Sequence, residues 1–216
     1  MTKKITDNFV KATIQLGGFL IDFAKVKRQT HLDPQGTLES DTDHTVMLAA
    51  IACAVASEMH PKYDLGKIAQ YALVHDMVEV YAGDVDTINP HFVDLSAKAA
   101  SEKAALAKIK LQFGGTFSWI HTTIEAYESL QDPESRFVKT IDKVMPAITQ
   151  HFSGNRVVNE KFDDPVAFED SMTVINKNMA GSYAYDQQFS LALRKAILKD
   201  IIDQKYAHHQ LPKAGK

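Results

Sequence analysis

Three ionisable side chains, His75, Asp76 and Glu79, stand inside a segment whose other positions read as core. Their neighbours are Leu73, Val74, Met77, Val78 and Val80, and Gly83-Asp84-Val85 follows. On a helix, His75 and Glu79 lie one turn apart and Asp76 precedes Glu79 by three positions. All three therefore share roughly one edge of the cylinder. Burying such groups without partners is costly, because each gives up its water. Any fold that keeps this segment inside must supply the missing partner, and a metal ion does so. Imidazole nitrogen with carboxylate oxygen suits Mn, Co, Fe or Zn, and Mg less well.

One helix cannot complete a coordination sphere. Two further places in the chain offer ligands in apolar helical settings. Glu39-Ser40-Asp41-Thr42-Asp43-His44 leads into Val46, Met47, Leu48 and Ile51, and Asp142 lies in Phe137-Val138-Lys139-Thr140-Ile141-Asp142-Lys143-Val144-Met145. His44, His75, Asp76 and Asp142 together give two nitrogens and at least two oxygens for one divalent ion. Positions stay open for water and a substrate oxygen. Asp142 also has a bland alternative, an ion pair with Lys139 or Lys143.

The pattern along the chain is helical throughout. Apolar spacing predicts a helix over Ile5 to Val26, with Gly17-Gly18 as a weak point or a close-contact site. Lys27 to Leu38 reads as a connector. Asp41 or Thr42 is the expected cap of a helix running to Met59, where Pro61 breaks it. Asp64 is the expected cap of a helix reaching Ala82, ended by Gly83. Asp86 to Pro90 reads as a turn-rich loop. Further helices are expected over Leu95–Phe113, Ser118–Leu130, Glu134–Phe152, Pro165–Met179 and Tyr185–Ala207, and a frayed tail over His208–Lys216. No alternating strand pattern and no second-domain boundary stand out, so the expectation is one all-α domain over residues 1–216 of the 216-residue chain.

Charge narrows the partners. A formal net charge of -3 gives no long-range attraction for a nucleic acid polymer. A small anion can still be held by a local cation or a metal. The lone cysteine, Cys53, sits in the apolar run Ala49–Val55 and reads as a structural thiol. Leu16 to Phe23 is too short to span a bilayer. These features fit a cytoplasmic protein without membrane association.

The ordered set of a His, an adjacent His-Asp pair and a distant Asp resembles the HD-domain superfamily of metal-dependent phosphohydrolases. His75-Asp76-x-x-Glu79 with Gly83-Asp84, Glu39-Ser40-x-x-x-His44 and Phe137-Val138-Lys139-x-x-Asp142 are similar to its YfbR-like 5'-deoxynucleotidase branch. The likeness is strongest over residues 28–145. It implies a single HD-type helical bundle around a metal held by His44, His75, Asp76 and Asp142. It implies that Glu79 orients or deprotonates the attacking water, that Asp84 serves the leaving sugar oxygen, and that Arg28 contacts the phosphate. It also implies a homodimer and a small-molecule substrate, a (deoxy)nucleoside monophosphate. The branch usually carries a Trp soon after the Arg. Here the segment reads Arg28-Gln29-Thr30-His31, the one Trp is Trp119, and His31 stands in that place beside the sugar.

Other roles stay open for the same residues. Glu79 can be a second partner that fixes His75, Asp84 a cap, and Arg28 a solvated helix end. Lys98 to Lys110 reads as a solvated helix face. A triphosphate-releasing enzyme, a non-catalytic nucleotide sensor and a structural metalloprotein are the alternatives at the level of the whole chain.

Overall fold

The computed structural model describes residues 4–85, 94–154, 162 and 165–207. Its described residues are all-α apart from one small hairpin. The expected loop Asp86–Pro90 and the expected tail from His208 lie outside the described residues. The chain divides into two compact units, one from Met1–Arg28 and Ser40–Val138, the other from Gln29–Glu39 and Lys139–Lys216.

In the first unit, helix α1 (Asp7–Lys25) starts at Thr6, whose hydroxyl accepts from the Phe9 amide. Its buried face carries Phe19 and Phe23. Gly17-Gly18 neither interrupts the helix nor touches a neighbour, since a Cβ at either position would meet nothing within 4 Å. The connector expected over Lys27 to Leu38 instead contains strand β1 (Lys27–His31), paired with β2 (Leu38–Ser40). Both strands are short, and β1 is polar along its length. The hairpin therefore leaves no apolar alternation in the sequence.

Helix α2 (Asp41–Met59) begins one residue earlier than the expected cap allows. Ser40 is the N-cap and forms a capping box with Asp43. This takes the capping role away from Asp41 and Thr42. Asp41 then opens the buried stripe Asp41, His44, Thr45, Leu48, Ala52 and Ala56, which follows helical spacing. Half-buried Cys53 lies beside that stripe, its thiol 3.8 Å from the Leu65 carbonyl.

Helix α3 (Leu65–Val74) is capped by Asp64, whose carboxylate accepts from the Lys67 amide. It stops at Val74 rather than running to Ala82. The next residues close tight turns, with the Met77 amide donating to Val74 and the Glu79 amide to Asp76, before α4 (Glu79–Ala82). His75 Nδ1 lies 2.8 Å from the Ala72 carbonyl, the acceptor a continuous helix would offer to the Asp76 amide. Gly83 ends α4 at φ +76°, a conformation that favours glycine. Helices α5 (Leu95–Phe113) and α6 (Ser118–Ser129) complete the layer. Phe19, Phe23, Val74, Met77, Ile109, Phe113, Ile120 and Ile124 form one core cluster, which fixes the segment around His75 from its apolar side. Trp119 on α6 lines an apolar cavity of about 340 Å³ with Leu20, Leu73 and Met77.

Helix α7 (Pro133–Asp142) carries the chain into the second unit. The single helix expected over Glu134–Phe152 is two, because α8 (Met145–Phe152) starts afresh after a turn at Lys143-Val144. Pro146 is the cause. It lacks the N–H that a continuous helix would donate to the Asp142 carbonyl. Helices α9 (Pro165–Ser182) and α10 (Gln188–Ala207) follow, with Met179, Ala184 and Leu191 packed together. Buried Arg194 on α10 donates from Nε to the Lys143 carbonyl (2.8 Å) and from its terminal nitrogens to Asn176 and Met172. Burial pushes its pKa down to about 10. No described helix is long and apolar enough to cross a membrane.

Candidate metal centre

The end of α3 and the start of α2 bring His75, Asp76 and His44 together. One ligand atom from each lies within 4.8 Å of the others. The two imidazoles are buried, with ring centroids 5.3 Å apart. The contact of His75 Nδ1 with the Ala72 carbonyl is favourable only if Nδ1 carries the proton. The lone pair is then on Nε2, which lies 2.8 Å from Asp76 Oδ2. Two electron-rich atoms at that distance repel unless a cation or a proton lies between them. The set of two nitrogens and a carboxylate therefore fits a divalent transition ion.

Directly beside it lies a second cluster, Asp41, Asp76 and Glu79, whose ligand atoms are also within 4.8 Å of one another. Arg28 at the start of β1 reaches into it. Its Nη1 donates to Asp76 Oδ2 at 2.6 Å and to Asp41 Oδ1 at 3.3 Å, and lies 3.9 Å from Glu79 Oε2. Glu79 is 6% exposed, and its Oε2 makes no hydrogen bond. Burial, with the charges of Asp76, Asp41 and Asp84 added, pushes its pKa up to about 10 against the pull of Arg28. Burial and Asp76 likewise push Asp41 up to about 6. Ionising all the acids of this pocket together would place more negative charge there than Arg28 offsets.

The other expected site residues are placed as follows. Half-buried Asp84, just after Gly83, is close enough to act electrostatically on Glu79 and Asp41. His31 lies on β1 in the second unit, half-buried, with its Nδ1 making no hydrogen bond. Asp142 is the last residue of α7 and belongs to the second unit, where it is buried with Lys143 Nζ 2.9 Å from its Oδ2.

The sequence matches the HD domain over residues 23–184. The chain belongs to the HD-domain family. Solved structures with the same fold include a predicted metal-dependent phosphohydrolase from Magnetospirillum magnetotacticum MS-1, 18% identical, with a TM-score of 0.71 over 91% of this chain and 94% of that one. An HD-domain phosphohydrolase from Listeria innocua is 18% identical, with a TM-score of 0.59 over 90% of each chain. A conserved hypothetical protein from Pyrococcus furiosus is 19% identical, with a TM-score of 0.53 over 84% of this chain and 99% of that one. Comparison with curated proteins finds no match.

Two residues of this HD-domain site escape the sequence reading. Asp41 was expected to cap α2 or to yield that role to Thr42, yet it is fully buried against Arg28. The signal was Ser40 three residues before Asp43, a capping box that leaves Asp41 free to turn inward. Lys98 was expected on a solvated face. Its Nζ instead lies 3.9 Å from Glu79 Oε1 and 2.7 Å from Glu102, at 21% side-chain exposure. Only the packing of α4 on α5 shows this.

Proposed function

We propose that this HD-domain chain is a metal-dependent phosphohydrolase that cleaves the 5'-phosphate from (deoxy)nucleoside monophosphates, giving nucleoside and inorganic phosphate. One divalent ion is held by His44, His75 and Asp76, with Asp142 as fourth ligand on the strength of the sequence pattern. The observation that carries the proposal is the buried acid Glu79 beside the His75-Asp76 pair, without a hydrogen bond at Oε2 and next to Arg28. A purely structural metal site has no use for an extra buried acid of that kind. The named activities of the fold relatives from Magnetospirillum and Listeria support the same reaction class.

A bound divalent ion lowers the pKa of water and draws charge from a phosphoryl oxygen. The chain's own groups do the rest. Arg28 offers a planar pair of donors matched to phosphate oxygens. Glu79 takes the proton of the attacking water as the new P–O bond forms. Asp84 supplies the proton that the sugar oxygen needs when the ester P–O bond breaks. Arg28 and Lys98 lie on either side of Glu79, and with a divalent cation beside them its pKa, about 10 without the ion, would be drawn down so that the charged form can act as the base.

The test is product analysis with metal-stripped protein, given Mn, Co, Mg or Zn and a panel of nucleoside mono-, di- and triphosphates. Metal-dependent release of inorganic phosphate from monophosphates is the expected result. Release of triphosphate with monophosphates untouched would replace the proposal with a triphosphohydrolase. Tight nucleotide binding without turnover in any metal would replace it with a sensor.

A further inference from the structure

We infer that Asp41 is a positioning residue, the anchor that holds Arg28 in register with the metal ligands. Asp41 is fully buried in the first turn of α2. Its side chain hydrogen-bonds to Arg28 through Oδ1, while Oδ2 makes no hydrogen bond. The backbone reinforces the link, because the Asp41 amide donates to the carbonyl of Val26 at 3.2 Å, two residues before Arg28. The start of α2 and the start of β1 are thus joined through main chain and side chain together. The same helix presents His44 one turn later. Arg28 is thereby registered against a metal ligand.

The second acid on Arg28 cannot do this alone. Asp76 uses Oδ2 for Arg28, and that oxygen also faces the lone pair of His75 Nε2. An ion held by His75 and Asp76 would compete with Arg28 for the Asp76 carboxylate. Glu79 is at 3.9 Å, beyond hydrogen-bond reach. Asp41 is the carboxylate that keeps Arg28 in place whichever partner Asp76 has. A carboxylate with no other polar partner, buried in full, also explains why this position is an acid at all. A surface cap would not need to be buried.

The inference rests on the proposed phosphate role of Arg28, and the experiment separates the two. Metal-loaded protein is assayed for KM, kcat and the inhibition constant of inorganic phosphate, as wild type, Arg28→Ala, Asp41→Asn, Asp41→Glu and the Arg28→Ala/Asp41→Asn double variant. Bound metal and thermal midpoint are measured for each. Loss of an arginine–phosphate contact weakens KM and phosphate inhibition by roughly 10- to 100-fold. Asp41→Asn is expected to weaken both by about 5- to 20-fold, with bound metal unchanged. Asp41→Glu should recover part of the loss, and the double variant should be no worse than Arg28→Ala, as for two residues acting through one contact. If Arg28→Ala weakens phosphate binding and a folded Asp41→Asn does not, the anchor role is wrong and the phosphate role of Arg28 stands. If Arg28→Ala changes neither constant, the phosphate role itself is wrong and the anchor role falls with it. If Asp41→Asn does not fold, Asp41→Glu decides: wild-type constants from that longer acid support a charge anchor, and a loss as large as that of Arg28→Ala rejects it.

Discussion

Replacing Glu79 by Gln should stabilise the metal-free protein while removing turnover. Glu79 titrates at about 10 in the folded chain against 4.5 when unfolded, chiefly because it is buried and then because three acids surround it. Between those values the folded state binds the proton more tightly, so stability falls as pH rises. At pH 7 the carboxyl must pick up a proton in order to fold. The cost is set by the distance from 4.5 to the working pH, about 3 kcal/mol at roughly 1.4 kcal/mol per pH unit. Any folded value well above 7 gives the same cost. Gln is the uncharged analogue and avoids it. For a chain of this size about 3 kcal/mol is a rise of roughly 6–12 °C in thermal midpoint. Circular dichroism melts of metal-stripped wild type and Glu79→Gln at pH 7 and pH 5 test this. The gain should shrink to under about 1 kcal/mol at pH 5, where the unfolded carboxyl is itself partly protonated. Adding metal should shrink it too, because a nearby cation favours the ionised carboxylate and lowers the folded pKa of Glu79. With metal, kcat of the variant should fall by roughly 100-fold or more, as for loss of a general base. A variant no more stable than wild type at pH 7, or a gain independent of pH, would refute the electrostatic account of this pocket.

Three further outcomes follow from the same geometry. Saturating metal-stripped wild type at about 100 times the dissociation constant should add about 2.7 kcal/mol of stability, read as a higher thermal midpoint, and His75→Ala should abolish that rise while Glu79→Gln keeps a smaller one. A rise that survives in His75→Ala would remove His75 from the ligand set. Lys98→Met should keep full metal content in elemental analysis but lower kcat by about 5- to 10-fold, since its cation lies 3.9 Å from Glu79; an unchanged kcat would return Lys98 to a surface role. Phe23→Ala, which empties a fully buried core position, should cost about 3–5 kcal/mol in denaturant unfolding; a cost under about 1 kcal/mol would show that the core around His75 is not packed as described.

The family of this chain and most of its helices were legible in the sequence, and the ends of several helices were not. Ionisable residues in apolar segments announce themselves, and so His44, His75, Asp76, Glu79 and Asp142 could be singled out from patterning alone. The helical setting expected from apolar spacing holds for His44, Glu79 and Asp142, whereas His75 and Asp76 lie in the turn between α3 and α4. Helix ends were less legible, and the causes are local. The break after Val74 depends on one imidazole taking the Ala72 carbonyl, a contact that apolar spacing does not encode. The break before Met145 was within reach, because Pro146 cannot donate to Asp142. The hairpin left no trace, because β1 is polar throughout.

These local breaks bear on the chemistry. A helix interior points its side chains at fixed intervals and satisfies its own carbonyls, so it offers a ligand one direction only. His75 and Asp142 each stand where a helix stops. At His75 the stop has a direct consequence. The backbone carbonyl of Ala72 fixes the imidazole tautomer and leaves Nε2 to face Asp76. Asp76 then faces both the imidazole and Arg28, and Glu79 follows at the first residue of the next short helix. A continuous helix through Ala82 would place His75 and Glu79 one above the other but would compete with the imidazole for the Ala72 carbonyl. The interruption thus orients the ligand, at the expense of about one turn of regular hydrogen bonding. A variant that restored helix continuity here, by replacing His75 with a good helix former, would gain helix and lose the centre.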